Sequence, residues 1–457
     1  MMDSIIKTLR QAIGDEAILE AADIAERATS YWDSAPMRGK ALALPRNTDE
    51  VATVLQTCHA AGQSVVTQGG LTNAVTAAKP NDDDVILSLE KMNRVIEIDA
   101  IGSLAVVEAG AVLQNVQDVV DEAGLRFPLD LGARGSCTIG GNIATNAGGI
   151  NVLRYGMIRD LVLGLEAVLA DGTVLSSMNR MLKNNAGYDL KQLFIGTEGT
   201  LGVVTRAVVR LFPRPSTRHT AFVALDDFEH VQALLVLLRE QLADSLSAFE
   251  ILWQDYYRFV TTVGGHRAPL SPEHPFYVVF ESEGNDAALD EQRFTHVLTT
   301  AFDNGLIDDA VIPKSDNERN AIWEIRENFE SILECDPVYL YDVSLPVGEM
   351  ATYVDTIKGN IKARWPNGEC YTMGHVADGN LHPFVCPNEP VDGKAISDAL
   401  VYEPLRAIGG SVSAEHGIGM DKKDWLDQSR SDAEVALMRT LKSTLDPQGI
   451  LNPGQVL

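Results

Sequence analysis

The sequence predicts an α+β protein: a helical N-terminal segment, a region that alternates short strands with helices, a second α+β region on an antiparallel sheet, and a C-terminal helical segment. Three observations carry this. Strand-like β-branched runs interleave with helical patterns between Ala41 and Pro213. Asp171-Gly172 and Ile101-Gly102-Ser103 sit between apolar runs, as hairpin turns do. After Pro213 and Pro215 the rhythm changes to strand, helix, strand. The expected boundaries are 1–36, 37–215, 216–414 and 415–457.

The elements follow in order. Ile5, Ile6, Leu9 and Ile13 recur at helical spacing, and the segment to Ser34 reads as two short helices ended by Pro36. Val65-Val66-Thr67 and Val85-Ile86-Leu87 read as strands, Asp49–Ala60 and Leu113–Ala123 as helices. Arg94–Ala109 and Leu161–Leu175 read as hairpins. Beyond Pro215, strands fall at Thr220–Leu225, Phe276–Glu281, Tyr339–Leu345 and Tyr371–Met373. Helices fall at Phe228–Gln241, Asp290–Phe302, Ala351–Arg364 and Ile396–Ile408, and Asp432–Leu445 is a last helix stopped by Pro447 and Gly449.

With 457 residues, 45% hydrophobic and 22% charged, the chain can bury a large core in more than one domain. Its net charge of −27 disfavours nucleic acid and anionic membranes. Cys58, Cys137, Cys335, Cys370 and Cys386 are scattered and form no CxxC pair, so a disulfide framework or structural zinc cluster is not expected. A reducing cytoplasm is the expected location: the N-terminus lacks a signal pattern, and no run reaches the length of a membrane span.

Two stretches carry chemistry. From Asp130 to Gly149, the glycines 132, 135, 140, 141, 148 and 149 crowd together with Ser136, Asn142, Thr145 and Asn146. Such density is unfit for regular helix or strand. It lets backbone N–H groups close on a diphosphate and a flat polar ring, held by dipoles rather than full charges. No strand–GxGxxG–helix unit and no GxxxxGK[ST] occurs, so neither a nicotinamide Rossmann domain nor a P-loop is supported. The second stretch is His375-Val376-Ala377-Asp378-Gly379-Asn380-Leu381-His382, followed by Ser413-Ala414-Glu415-His416-Gly417. Three of the nine histidines beside a glutamate look like a metal site with a spare base. Each histidine taken singly is more often a hydrogen-bonded core residue than a ligand.

The glycine-rich run, Asn184-Asn185-Ala186-Gly187-Tyr188-Asp189-Leu190-Lys191, Phe194-Ile195-Gly196-Thr197-Glu198-Gly199-Thr200-Leu201-Gly202 and the terminal Leu451-Asn452-Pro453-Gly454 together resemble the FAD-linked oxidase family of the vanillyl-alcohol-oxidase type. Within it the chain is most similar to the D-2-hydroxyglutarate and D-lactate dehydrogenase branch, from about Ala41 to Leu457. The resemblance implies a two-lobed PCMH-type FAD-binding domain followed by an α+β substrate domain. FAD would be non-covalent, since no histidine occupies the places where some relatives attach it. The implied FAD contacts are Gln68, Gly69, Gly70, Leu71, Thr72 and Asn73, then Pro128, Gly132, Gly135, Ser136, Cys137, Gly140, Gly141, Asn142, Thr145, Asn146 and Gly149, and finally Glu198, Gly202, Val203 and Asn452. Asn73, Thr76 and Ala77 stand where the family pattern has further glycines, which implies a stiffer or differently shaped first loop.

The resemblance further implies that His375, His382 and Glu415 ligate a divalent metal, zinc or manganese, and that His416 is the general base. An imidazole titrates near about 6.5 in general, which suits proton removal from a metal-polarised alcohol while the C2 hydride goes to the flavin N5. Arg326 is implied to grip a substrate carboxylate, the alternative being a helix-surface ion pair with a neighbouring glutamate. Asn380 is expected to hold the turn or a ligand in place.

Three positions depart from the hydroxyglutarate enzymes. Glu330 replaces a threonine, Leu340 a lysine and Phe384 an asparagine. A second substrate carboxylate would lose a cation there, so the expected substrate is a D-2-hydroxy acid with a shorter or more apolar tail. A D-2-hydroxyglutarate dehydrogenase proper, a metal-free oxygen-using oxidase, and the flavin subunit of a glycolate-oxidase-like complex stay open. The expected acceptor is an electron-transfer flavoprotein or a quinone-linked carrier rather than NAD or NADP. A homodimer is the default expectation for such an enzyme.

Overall fold

The computed structural model describes residues 4–390 and 392–457, which form two compact units. The first holds Met1–Gly149, Gly156–Arg214 and Glu415–Leu457; the second holds Ile150–Tyr155 and Pro215–Ala414.

Two larger sheets and a two-stranded one, Leu125–Arg126 with Phe212–Pro213, build the first unit. One of the larger sheets has the order Ile18–Leu19, Ala41–Ala43, Val85–Ser88, Val65–Gln68, with Val85–Ser88 parallel to both of its neighbours. Ala41–Ala43 and Val65–Gln68 therefore run parallel on either side of Val85–Ser88, and the helix Thr48–Ala61 makes the crossover between them. Asn47 caps that helix by accepting from the Glu50 N–H at 2.9 Å, and Gly62 ends it at φ 62°. The N-terminal helix Ser4–Ile13 buries Ile5, Ile6, Leu9 and Ile13. The second helix expected before Ser34 shrinks to Ala21–Ile24.

The other larger sheet is antiparallel, in the order Val95–Asp99, Leu104–Glu108, Val203–Arg210, Val162–Val168, Val174–Ser177. Both expected hairpins are present. Between them lies Val203–Arg210, a strand the sequence reading did not assign. It is largely buried, and a strand covered on both faces loses the alternation that identifies one.

The second unit is built on eight antiparallel strands. Seven run in the order Asp309–Val311, Thr217–Leu225, Phe276–Gly284, Leu246–Trp253, Glu369–His375, Asn380–Cys386, Tyr339–Leu340, and Val343–Ser344 also pairs with Asn380–Cys386. Helices Phe228–Leu242, Ala287–Asp303 and Met350–Arg364 bury apolar faces. An aromatic core of Phe222, Tyr256, Tyr257, Tyr277, Trp323 and Phe384 packs beside them.

Two expected elements are broken. Tyr339–Leu345 is two short strands, Tyr339–Leu340 and Val343–Ser344, with Asp342 between them accepting from Asn380 and Ser413. The helix expected over Ile396–Ile408 is α-helical only at Lys394–Tyr402 and continues as 3-10 turns over Glu403–Ile408, where Pro404 has no N–H to give.

Candidate active site

In the first unit, the loops expected to cradle a diphosphate are brought together. At Gly70 an added Cβ would stand 2.1 Å from the Ser136 carbonyl oxygen, and at Gly69 it would stand 2.5 Å from Thr138 Oγ1. Only glycine allows Gln68–Asn73 to lie this close to residues 136–138. Gly140 is equally constrained, 2.7 Å from Ala109 Cβ. Gly149, at φ +116°, would set a Cβ 1.9 Å from the Asp130 carbonyl. Gly132 and Gly135 instead face open space, with no atom within 4 Å of an added Cβ among the described residues, and Ser136 beside them is exposed. The Thr67 hydroxyl, buried at the entry to Gln68–Asn73, has no hydrogen-bond partner among the described residues. Glycine-lined approach, open space at Gly132 and Gly135, and an unpaired buried hydroxyl fit a phosphate-bearing cofactor such as FAD.

The polar side chains expected on the cofactor are engaged within the protein. Gln68 Nε2 donates to the Ala78 carbonyl at 3.0 Å, Asn142 reaches Cys137 Sγ at 3.6 Å, and Thr145 donates to the Gly141 carbonyl at 3.2 Å. Asn146 accepts from the Arg159 N–H at 3.2 Å. The carbonyls of Leu71 and Thr72 accept from Tyr31 N–H and Trp32 Nε1. Pro128 is buried, Gly202 lies against the Phe194 ring, and Val203 starts a strand. Asn73 Oδ1 accepts from the Ala77 N–H at 2.9 Å, closing the loop on itself. Thr76 adopts φ 55°, a left-handed conformation costly for a β-branched residue, and donates to Asp421. These contacts are the physical content of the first loop's departure from a glycine pattern.

Glu198 and Asn452 organise the returning C-terminal segment. Glu198 accepts from the N–H groups of Ile418 at 2.6 Å and Gly419 at 2.8 Å. Burial pushes its carboxyl up, and the two amide bonds only partly counter it. Asn452 accepts from Thr67 N–H at 2.8 Å and donates to the Glu198 carbonyl at 2.6 Å. Glu415 accepts from the Gly149 N–H at 2.7 Å, which ties it to the end of the glycine-rich run. His416 follows it and is partly exposed.

In the second unit, strands Glu369–His375 and Asn380–Cys386 form a hairpin closed by Val376–Asp378 and by Gly379 at φ +91°. Met373 is the cross-strand partner of His382, so His375 and His382 share one face. Their rings stand 5.5 Å apart at 79°, with ring nitrogens within 4.8 Å. His375 Nδ1 meets Glu250 Oε1 at 2.7 Å, and Arg326 Nη2 meets His375 Nε2 at 3.0 Å. Arg326 Nε donates to Glu250 Oε2 at 2.8 Å. Burial alone would raise the Glu250 carboxyl, but His375 and Arg326 together hold it below the usual range. Arg326 is buried and its ion-pair partner is Glu250, not a glutamate on its own helix; the surface-pair alternative is therefore incorrect.

Asp342 is the second anchor. It is fully buried and accepts from Asn380 Nδ2 at 3.0 Å, Ser413 Oγ at 3.1 Å and the Ala414 N–H at 3.1 Å. One of its oxygens lies within 4.8 Å of a ring nitrogen of His382. Asn380 donates again to the Val343 carbonyl at 3.0 Å, while its buried Oδ1 has no partner among the described residues. Imidazole nitrogens beside carboxylate oxygens, with one imidazole aimed by a buried glutamate, are a donor set for a zinc- or manganese-class ion. Sequence reasoning missed Glu250 and Asp342. The signal was present: each is a lone carboxylate in an otherwise apolar strand-like run, and a charge in such a run must find a partner.

The three departures lie near one another. Leu340 is paired directly opposite Phe384, whose ring lies tilted against Phe329 with centroids 5.7 Å apart, and Glu330, which follows Phe329, is exposed.

Comparisons with known proteins follow the same division. Residues 39–177 match an FAD binding domain family and residues 214–456 match the C-terminal domain of FAD linked oxidases. The chain is 42% identical over 92% of its length to the mitochondrial D-2-hydroxyglutarate dehydrogenase of Bos taurus, covering 77% of that protein. It is 39% identical over 99% of its length to the mitochondrial enzyme of the same name from Arabidopsis thaliana, covering 81% of it. Among solved structures, p-cresol methylhydroxylase with substrate bound superposes at a TM-score of 0.78 with 17% identity, over 99% of this chain and 96% of that one.

Proposed function

The chain belongs to the FAD-linked oxidases, and from that premise we propose that it oxidises a D-2-hydroxy acid to the 2-oxo acid with FAD and a divalent ion. Bound FAD would supply the hydride acceptor, and the ion a Lewis acid that lowers the hydroxyl pKa. The protein's own residues do the rest. By the family resemblance, His375, His382 and Glu415 would hold the ion. The Ala414 N–H is pinned by Asp342, which restrains the chain just before Glu415. Arg326 binds the carboxylate of the acid and His416 removes the hydroxyl proton, while Asn380 holds the turn in place through its bonds to Asp342 and the Val343 carbonyl. Electrons leave to an electron-transfer flavoprotein or quinone-linked carrier.

The observation that carries the reading is the His375–His382 pair, two imidazoles edge to face with centroids 5.5 Å apart and one of them aimed by Glu250. For the tail, we infer a shorter or more apolar group than hydroxyglutarate carries, supported by Leu340 and Phe384 standing directly opposite each other at positions where the family resemblance implies a lysine and an asparagine. The names of the relatives favour a second reading, D-2-hydroxyglutarate itself. An anaerobic flavin-bleaching screen over D- and L-hydroxy acids, with and without chelator, decides both. Bleaching by D-lactate or larger apolar D-acids, abolished by chelator, is expected. Preference for D-2-hydroxyglutarate establishes the second reading, and bleaching indifferent to chelator removes the metal.

A further inference from the structure

Glu250, Arg326 and His375 close a three-membered clasp whose edges measure 2.8, 3.0 and 2.7 Å. Their side chains are only 1%, 8% and 7% exposed, so water does not share these contacts. The hydrogens can be assigned from chemistry alone. A carboxylate only accepts, so His375 carries its proton on Nδ1, toward Glu250. Nε2 is then the unprotonated nitrogen with a single in-plane lone pair. A guanidinium only donates, so Arg326 Nη2 already uses that lone pair. Nδ1 is closed to a metal by its hydrogen, and Nε2 cannot serve a metal and an N–H together.

We propose that Arg326 is the resident cation on His375 Nε2 in the metal-free protein, and that an incoming divalent ion displaces it, freeing the Nη2 edge for the carboxylate of the substrate. The inference rests on the metal reading above. Arg326 does not leave. Its Nε bond to Glu250 at 2.8 Å is independent of His375, so the guanidinium swings about that tether while its other N–H groups are released. One cation replaces another on the same lone pair, and no covalent or redox change is involved. The order of assembly is then set by the protein: ion first, carboxylate second. Because the two equilibria share Arg326, a bound carboxylate that holds the guanidinium away must in turn tighten the ion, by thermodynamic reciprocity. The arginine acts as a specificity and positioning residue whose availability reports that the metal is in place.

The test measures zinc affinity in chelator-stripped flavoprotein at pH 8, with no hydroxy acid present, by competition with a chromophoric chelator. Arg326→Met removes the competing donor and Arg326→Gln replaces the cation with a shorter neutral amide; both are expected to bind zinc more tightly than the unaltered protein, Arg326→Met by at least about 10-fold. A residue that served only to grip substrate would leave zinc affinity unchanged; unchanged or weaker binding in a folded variant overturns the proposal. Either variant leaves Glu250 without its cation, so paired crystal structures of the unaltered protein, stripped and zinc-soaked, give a second measure. Zinc on His375 Nε2 with Arg326 Nη2 moved out of hydrogen-bond reach supports the exchange. Zinc on Nε2 with Nη2 still in place refutes it while leaving the metal reading intact. An unaltered protein that takes up no zinc removes the metal reading, and this proposal with it.

Discussion

Replacing Glu250 with glutamine should be among the costliest conservative changes in this protein. The side chain keeps its size and can still accept one hydrogen bond, but the charge facing Arg326 at 2.8 Å and His375 at 2.7 Å is gone. Arg326 is only 6% exposed and cannot turn to water for compensation. Removing one partner of a buried ion pair costs about 3–5 kcal/mol, because the remaining charge stays desolvated. Glu250→Gln should therefore lower unfolding stability by about that amount. The double variant Glu250→Gln/Arg326→Gln removes both charges and should recover at least about 2 kcal/mol relative to the sum of the single costs. Urea unfolding of flavin-free protein, followed by tryptophan fluorescence, reads this out, since Trp253, Trp323 and Trp365 all lie in the same unit. A cost for Glu250→Gln below about 1 kcal/mol, or strict additivity in the double variant, would refute the clasp as an electrostatic unit.

Gly70→Ala would drive a methyl into the Ser136 carbonyl and separate the two loops, so the purified variant should carry less than a tenth of the normal flavin, read from its absorbance spectrum. His416→Asn should lower kcat by about 10²–10⁴-fold while metal content, measured by elemental analysis, stays unchanged; loss of metal would reassign His416 from base to ligand. Glu166 is pushed up by burial but held down at about 2 by Arg206, Thr48 and Thr205, against an ordinary value of 4.5. Its contribution is thus fully present above pH 4.5 and lost as pH falls through about 2. Glu166→Gln should cost about 2–3 kcal/mol at pH 7, after discounting for the partly exposed Arg206, and close to nothing near pH 2; a pH-independent cost in acid unfolding series would overturn this. Leu340→Lys restores a cation opposite Phe384 and should raise kcat/KM for D-2-hydroxyglutarate relative to D-lactate by about 10-fold, the size of one exposed-to-half-buried charge contact; no change would move the tail site elsewhere.

Much of the fold is legible in local pattern. Ile5, Ile6, Leu9 and Ile13 announce a helix because a 3.6-residue period puts them on one buried face. Asp171-Gly172 announces a hairpin because few other residue pairs make that turn cheaply. Val203–Arg210 and Leu246–Trp253 escaped because a strand covered on both sides shows no period at all. In the site, the two histidines could be read as neighbours because only a tight turn separates them. Glu250 could not, since it stands 125 residues before His375, and nothing local tells which buried base will meet which buried acid.

The sequence by itself determined the periodic helices, the turn-marked hairpins, the glycine-rich cradle and the chemistry available near the C-terminus, because turn stereochemistry, periodicity and donor type are properties of a residue and its near neighbours. Tertiary structure alone decided how those donors are already engaged: that Arg326 sits on His375 rather than waiting in solvent, and that Glu198 holds Ile418 and Gly419 from 220 and 221 residues away. The physical reason is desolvation. A buried charge must be paired within a few ångströms, but the chain can bring that partner from any distance along its length.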